Sequence, residues 1–90
     1  MLFVALLKVS EGKTTAALAK RLQWQYPEGM NLIAEYWLNS PDPTVITVFE
    51  ADSEATVVQY TVEWSDYFAI TIVPAITVEE GMEMGKKMMG

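Results

Sequence analysis

Glu35 is the one carboxylate in the middle of an extended apolar run, Met30 to Asn39, where alternation puts it on one face with Ile33 and Trp37. A carboxyl buried beside aromatic rings has its pKa raised, and a raised carboxyl can take up a proton near neutral pH. That makes Glu35 the candidate base. The plainer reading is an edge-strand glutamate facing water, a charge that discourages edge-to-edge pairing. Four aromatic residues, Trp24, Tyr36, Trp37 and Trp64, are the candidates to hold a ligand, and Tyr60, Tyr67 and Phe68 extend the set. Aromatic cavities with few polar groups suit flat organic molecules. Trp and Tyr also simply fill cores and dimer interfaces.

Much chemistry is excluded by what the chain lacks. It has no histidine, which removes the commonest general base and transition-metal ligand. It has no cysteine, hence no disulfide, thiol nucleophile or thiolate metal site. No metal or other cofactor is implied. The single arginine, Arg21, falls mid-helix and argues against an anion cradle in the first loop, and no glycine-rich phosphate loop or nucleophile elbow occurs. Glu50 and Asp52 read as helix-start partners. Glu79, Glu80 and Glu83 read as a solvated helix start, with a hard-cation site as the alternative.

Twelve acidic against six basic residues give a formal charge of −6, a surface that nucleic acid would repel. Lys13, Lys20 and Arg21 read as a solvated helix face. No stretch approaches the roughly 18 apolar residues of a membrane span. The first residues lack the basic leader and cleavage site of a signal sequence. The expectation is a soluble cytoplasmic protein without nucleic-acid or membrane partners.

The elements that position these residues follow from periodicity. Leu2 to Val9 is apolar on both faces except at Lys8, so this strand belongs inside a sheet. After the turn Ser10-Glu11-Gly12-Lys13, Thr14 or Thr15 is expected to cap a helix running to about Gln25. Leu18 and Leu22 would lie on its buried stripe and Lys20 and Arg21 outside. Tyr26-Pro27-Glu28-Gly29 ends that helix. The second strand, Met30 to Asn39, would turn Met30, Leu32, Ala34, Tyr36 and Leu38 to the core. Ser40-Pro41-Asp42-Pro43 joins it to a third strand, Thr44 to Ala51, as an antiparallel hairpin.

Asp52 or Ser53 caps a second helix to about Trp64, with Ala55, Val58 and Val62 on one stripe and Val57, Thr61 and Trp64 beside it. A fourth strand, Tyr67 to Val73, ends at Pro74 and suits an edge. Thr77 and Glu80 form a capping box for a weak, methionine-rich terminal helix. The order β-α-β-β-α-β is the ferredoxin-like α+β plan, with both helices on one face of a four-stranded antiparallel sheet of order 4-1-3-2. Residues 1–76 form that domain and 77–90 a C-terminal helix or tail.

The sheet face opposite the helices would carry large apolar side chains whichever register holds. A bare patch of that size exceeds what a soluble monomer shows, and a second copy of the sheet is the simplest cover. The alternative is a monomer whose tail folds over its own sheet. The expected partners are therefore a second copy of the chain and a small apolar or aromatic ligand.

The pattern resembles the dimeric α/β-barrel superfamily, in which two ferredoxin-like sheets pack face to face. Within it, the chain is most similar to an uncharacterised family of short domains of unknown function. The resemblance covers Met1 to about Glu80. It rests on Pro27-Glu28-Gly29, Trp37, Phe49-Glu50-Ala51-Asp52, Trp64 with Asp66, and Ile72-Val73-Pro74-Ala75-Ile76. It implies a homodimer with a binding or structural role and no catalytic motif. Superfamily relatives include heme-handling or cofactor-free monooxygenases and small isomerases, and the histidine such heme proteins often use is absent. The enzyme alternative is a cofactor-independent monooxygenase or isomerase acting on an aromatic or polyketide-like molecule. Glu35 would then handle the proton, and Tyr36, Trp37 and Trp64 would hold the ring.

Overall fold

The first strand lies inside the sheet, as its two apolar faces require. In the computed structural model, which describes residues 1–90, β1 (Leu2–Val9) has antiparallel neighbours on both sides. These are β3 (Val45–Ala51) and β4 (Phe68–Ala75). β2 (Met30–Trp37) completes the sheet against β3, giving the order β2-β3-β1-β4. Between the strands run α1 (Thr14–Gln23) and α2 (Glu54–Trp64), and α3 (Val78–Met89) follows β4. The architecture is the α+β plan expected, with the sheet order 4-1-3-2 seen from its other edge. Pro74 lies within the edge strand β4, opposite Phe3, where its missing donor leaves β1's ladder intact. No helix is long and apolar enough to cross a membrane.

Register assigns the faces. Phe3, Ala5 and Leu7 oppose Phe49, Thr47 and Val45, and Ala5 and Leu7 also oppose Ile72 and Ile70. This face meets the helices, and its buried core joins Ala5, Leu7, Phe49 and Ala51 to Met30, Tyr60 and Trp64. The opposite face carries Leu2, Val4 and Leu6 with Ile46, Val48 and Val73, half-buried or exposed.

Ser53 caps α2 by accepting from the Thr56 backbone N–H, and Thr77 and Glu80 form the expected capping box on α3. α3 nevertheless buries none of its residues. It does not fold over the sheet. The radius of gyration is 15.0 Å, against about 12 Å for a compact chain of this length, and the longest dimension is 52 Å.

Three local expectations are corrected. α1 begins at Thr14 with Lys13 at its N-cap and no side-chain cap, and it ends at Gln23. Its buried residue is Ala17, while Leu22 is 75% exposed and Arg21 is half-buried, so the helix is rotated from its Leu18–Leu22 stripe. In α2 the inward residues are Tyr60 and Trp64 with Val57, and Val58 and Val62 face outward. Two large rings bury more apolar area than two valines, which decides that rotation. In β2 the alternation breaks, and the break builds the site.

Candidate functional site

A β-bulge sets the direction of Glu35. Leu32 opposes Phe49, but the next paired residue is Ala34, opposite Val48, and Ile33 has no partner. One surplus residue shifts the phase of the strand beyond it. Glu35 and Trp37 therefore oppose Thr47 and Val45 and face the helices, whereas Tyr36 opposes Ile46 and goes to the outer face. Without the bulge, strict alternation would have turned Ala34 and Tyr36 inward.

Between α1, α2 and this face of the sheet lies a cavity of about 210 Å³. Thr14, Ala17, Leu18 and Arg21 of α1 line one side, at the three-to-four-residue spacing that keeps them on one helical face. Tyr60 and Trp64 of α2, Leu7 of β1 and Thr47 of β3 line others, and Glu35 and Trp37 come from β2. Of the four aromatic candidates, Trp24, Trp37 and Trp64 border the cavity and Tyr36 does not. Trp37 is 59% exposed and Leu18 44%, which places both at the mouth.

Arg21 and Glu35 meet across the wall. Arg21 Nε donates to Oε2 at 3.1 Å and to Oε1 at 3.3 Å, and Nη2 donates to Oε1 at 3.0 Å. The Trp37 indole N–H donates to Oε2 at 2.7 Å, and the Tyr26 hydroxyl donates to Oε1. Arg21 Nη1 also reaches the Trp24 carbonyl at 3.4 Å, fastening the end of α1 to the same cluster. Glu35 and Arg21 side chains are 12% and 31% exposed. The guanidinium stands over the Tyr26 ring, 5.2 Å from its centroid, a cation–π contact.

The electrostatics follow from these contacts. Burial works to raise the Glu35 pKa, but hydrogen bonds from Arg21, Tyr26 and Trp37 outweigh it and hold the carboxyl below its usual value. The hydrogen bond to Glu35 pushes Arg21 up. Burial, then the hydrogen bond to Glu35, raises the Tyr26 hydroxyl. Burial pushes Tyr60 up to about 12, opposed by the Thr47 hydroxyl. A carboxylate has about four lone-pair sites. Here Tyr26 and Arg21 Nη2 occupy Oε1, and Arg21 Nε and Trp37 occupy Oε2. Glu35 is neither the water-facing edge residue nor the raised carboxyl that the sequence suggested.

Behind the cluster the rings pack edge to face or tilted. Trp24 stands 4.7 Å from Tyr26 and 5.3 Å from Trp64, and Trp64 stands 5.8 Å from Phe68. Lys20 pins the two helices together: its ammonium pairs with Glu63 at 3.4 Å and lies 5.0 Å from the Trp64 ring centroid. The Trp64 indole N–H is buried without an acceptor. No three His, Cys, Asp or Glu residues are grouped to hold a metal ion.

Tyr60 and Phe68 of the extended aromatic set line the cavity, whereas Arg21, read as part of a solvated helix face, and Tyr26, read only as part of the helix stop, are the site residues that sequence reasoning missed. The available signal was the spacing Thr14, Ala17, Leu18, Arg21, one helical face ending in the sole arginine.

The family described as Domain of unknown function (DUF3303) matches residues 1–89. No curated protein and no solved structure matches the chain.

Proposed function

We propose that this chain, which belongs to the DUF3303 family, is a binding domain that holds a small apolar or aromatic molecule between its helices and its sheet. The observation that carries the reading is the Glu35 carboxylate, clamped by Arg21, Tyr26 and Trp37 at the wall of an aromatic cavity. A general base needs a free lone pair within reach of the substrate proton. A carboxylate that receives four donors instead braces the wall, holding α1 against β2. This favours binding over the alternative of a cofactor-independent monooxygenase or isomerase.

The binding domain works as a homodimer. Leu2, Val4, Leu6, Ile46 and Val48 form an apolar outer sheet face, and α3 adds the exposed Val78, Met82 and Met84. A second copy of the sheet covers the first, and the flexible methionines of α3 clasp the partner subunit. Sedimentation of the wild-type chain and of Leu6→Glu checks it: a dimer that becomes a monomer is the expected result. A wild-type monomer at high protein concentration would count against it.

Binding is tested by following the indole N–H signals of Trp24, Trp37 and Trp64 by NMR, against mixtures of flat organic molecules of different size and charge. Saturable shifts of these signals, with the molecule recovered unchanged after incubation in air, are expected. Conversion that stops in Glu35→Gln would instead establish the enzyme.

A further inference from the structure

Resting on the binding reading, the geometry points to a narrower ligand class: we infer that the cavity selects a neutral molecule of one or two aromatic rings. It excludes both larger fused systems and ligands with a charge buried at the wall.

Size comes first. An apolar cavity of about 150 Å³ is enough to hold benzene. This one, at about 210 Å³, has room for one ring more. Pockets for drug-sized ligands begin at about 300 Å³. Three or four fused rings need the walls to part, and the walls are tied. Arg21 bonds α1 to β2 through Glu35, and Lys20 bonds α1 to α2 through the Glu63 side chain and backbone carbonyl. Widening the cavity means breaking one of these ties.

Charge comes second. Arg21 is the only cation on the lining and Glu35 the only anion, and each is committed to the other. The wall is therefore neutral as a unit. A ligand carboxylate placed there gains no free guanidinium and stands beside the Glu35 charge. A ligand ammonium finds no free lone pair on Glu35. Either ion loses its water without a counter-charge to replace it, and burying an unpaired charge is strongly unfavourable. The remaining polar groups, the hydroxyls of Thr14, Thr44, Thr47 and Tyr60 and the indole N–H groups of Trp24 and Trp64, are uncharged, and the Tyr26 hydroxyl is given to Glu35. They suit at most a hydroxyl or carbonyl substituent.

Shape comes third. The rings of Trp24, Trp64 and Phe68 bound the cavity and pack on one another edge to face or tilted. Aromatic rings pair offset-stacked or edge to face, which suits a wall of this kind to a flat ring.

The experiment is calorimetric titration of the full chain at pH 7 with 2-naphthol, 2-naphthoate and 1-hydroxypyrene: a neutral bicycle, its anionic counterpart and a neutral tetracycle. The expected result is saturable binding of 2-naphthol, with the other two at least tenfold weaker. Leu18→Trp closes the mouth from an exposed helix position, so it folds normally, and it lowers 2-naphthol affinity at least tenfold. Equal binding of 1-hydroxypyrene overturns the size limit, and equal binding of 2-naphthoate overturns the selection against charge. Both leave the binding reading standing. Unchanged 2-naphthol affinity in Leu18→Trp overturns the assignment to this cavity. If none of the three probes binds, and the mixtures leave the indole signals unmoved, the binding reading falls as well.

Discussion

Arg21 and Glu35 lie fourteen residues apart in the chain and meet fork to fork, three N–H···O contacts joining the guanidinium of α1 to the carboxylate of β2. The pair is partly shielded from solvent, so it is worth more than an exposed surface ion pair. It is also the point at which the helical layer is tied to the edge of the sheet.

Glu35→Gln keeps the shape of the side chain but removes the charge that three partners address. Charge-assisted hydrogen bonds contribute about 1.5–3 kcal/mol each, so a loss of about 2 kcal/mol is expected. In a domain of this length that lowers the melting temperature by about 10 °C. Thermal unfolding followed by circular dichroism checks it. Tyr26→Phe, which removes one donor and leaves the ion pair, falls between wild type and Glu35→Gln.

The same carboxyl sets an acid limit. Its folded pKa lies below the unfolded value of about 4.3, so its contribution is fully present above that pH and is lost as pH falls through the folded pKa. Urea midpoints measured between pH 6 and pH 3 fall more steeply for wild type than for Glu35→Gln. Parallel curves would remove Glu35 from the account of acid sensitivity.

An alkaline limit comes from the phenols. Tyr60 is pushed up to about 12, and Tyr26 is raised as well, above the unfolded value of about 10. Both favour the folded state below pH 10, and that contribution disappears as pH rises through the folded values. Tyrosinate absorbance followed against unfolding should show Tyr26 and Tyr60 ionising only as the chain unfolds, and Tyr26→Phe and Tyr60→Phe identify which ionisations are theirs.

Gly29 enters β2 with φ at +89°, and a Cβ there would stand 3.3 Å from both Asp52 Oδ2 and Thr56 Oγ1. The left-handed region costs an L-residue about 1–2 kcal/mol before any contact is counted. Gly29→Ala is therefore expected to lower the unfolding free energy by about that much in a urea melt. Gly12→Ala shares the dihedral strain but meets open space, and it is the milder change.

Removal of residues 78–90 tests the independence of α3. None of its residues is buried within its own chain, so the truncated chain keeps its sheet spectrum. Loss of the fold on truncation would show that the helix is needed for the core.

The topology is legible in the sequence because it rests on gross features. Two-sided apolarity fixes β1 inside the sheet, proline-rich chemistry between Asn39 and Thr44 makes a hairpin of β2 and β3, and Thr77 with Glu80 announces α3. The site is less legible, for three separate reasons. A lone arginine in a helix looks solvated until a carboxylate is known to stand opposite. The Val58–Val62 stripe competes with Tyr60 and Trp64 on the same helix, and only the volume to be filled decides between them. The bulge at Ile33 leaves no mark in hydropathy, because both Ile33 and Ala34 are apolar and either phase of the strand reads as half-buried. Glu35 was visible as the unusual residue, but its direction was not.

The cross-strand partners of β2 are complete without Ile33: Met30, Leu32 and every residue from Ala34 to Trp37 oppose a residue of β3, and Ile33 alone opposes none. The strand is thus one residue longer than its ladder. Length is spare at that point and nowhere else in β2. A chain lacking Ile33 would straighten the strand and still send Leu32, Glu35 and Trp37 to the helices. One residue gained between Ala34 and Glu35 would carry the carboxylate to the far side of the sheet and strand Arg21. Across related chains of different length, a residue lost at Ile33 or at Ala34 is neutral for the cavity, and a residue gained between Ala34 and Glu35 rebuilds it with Tyr36 inside.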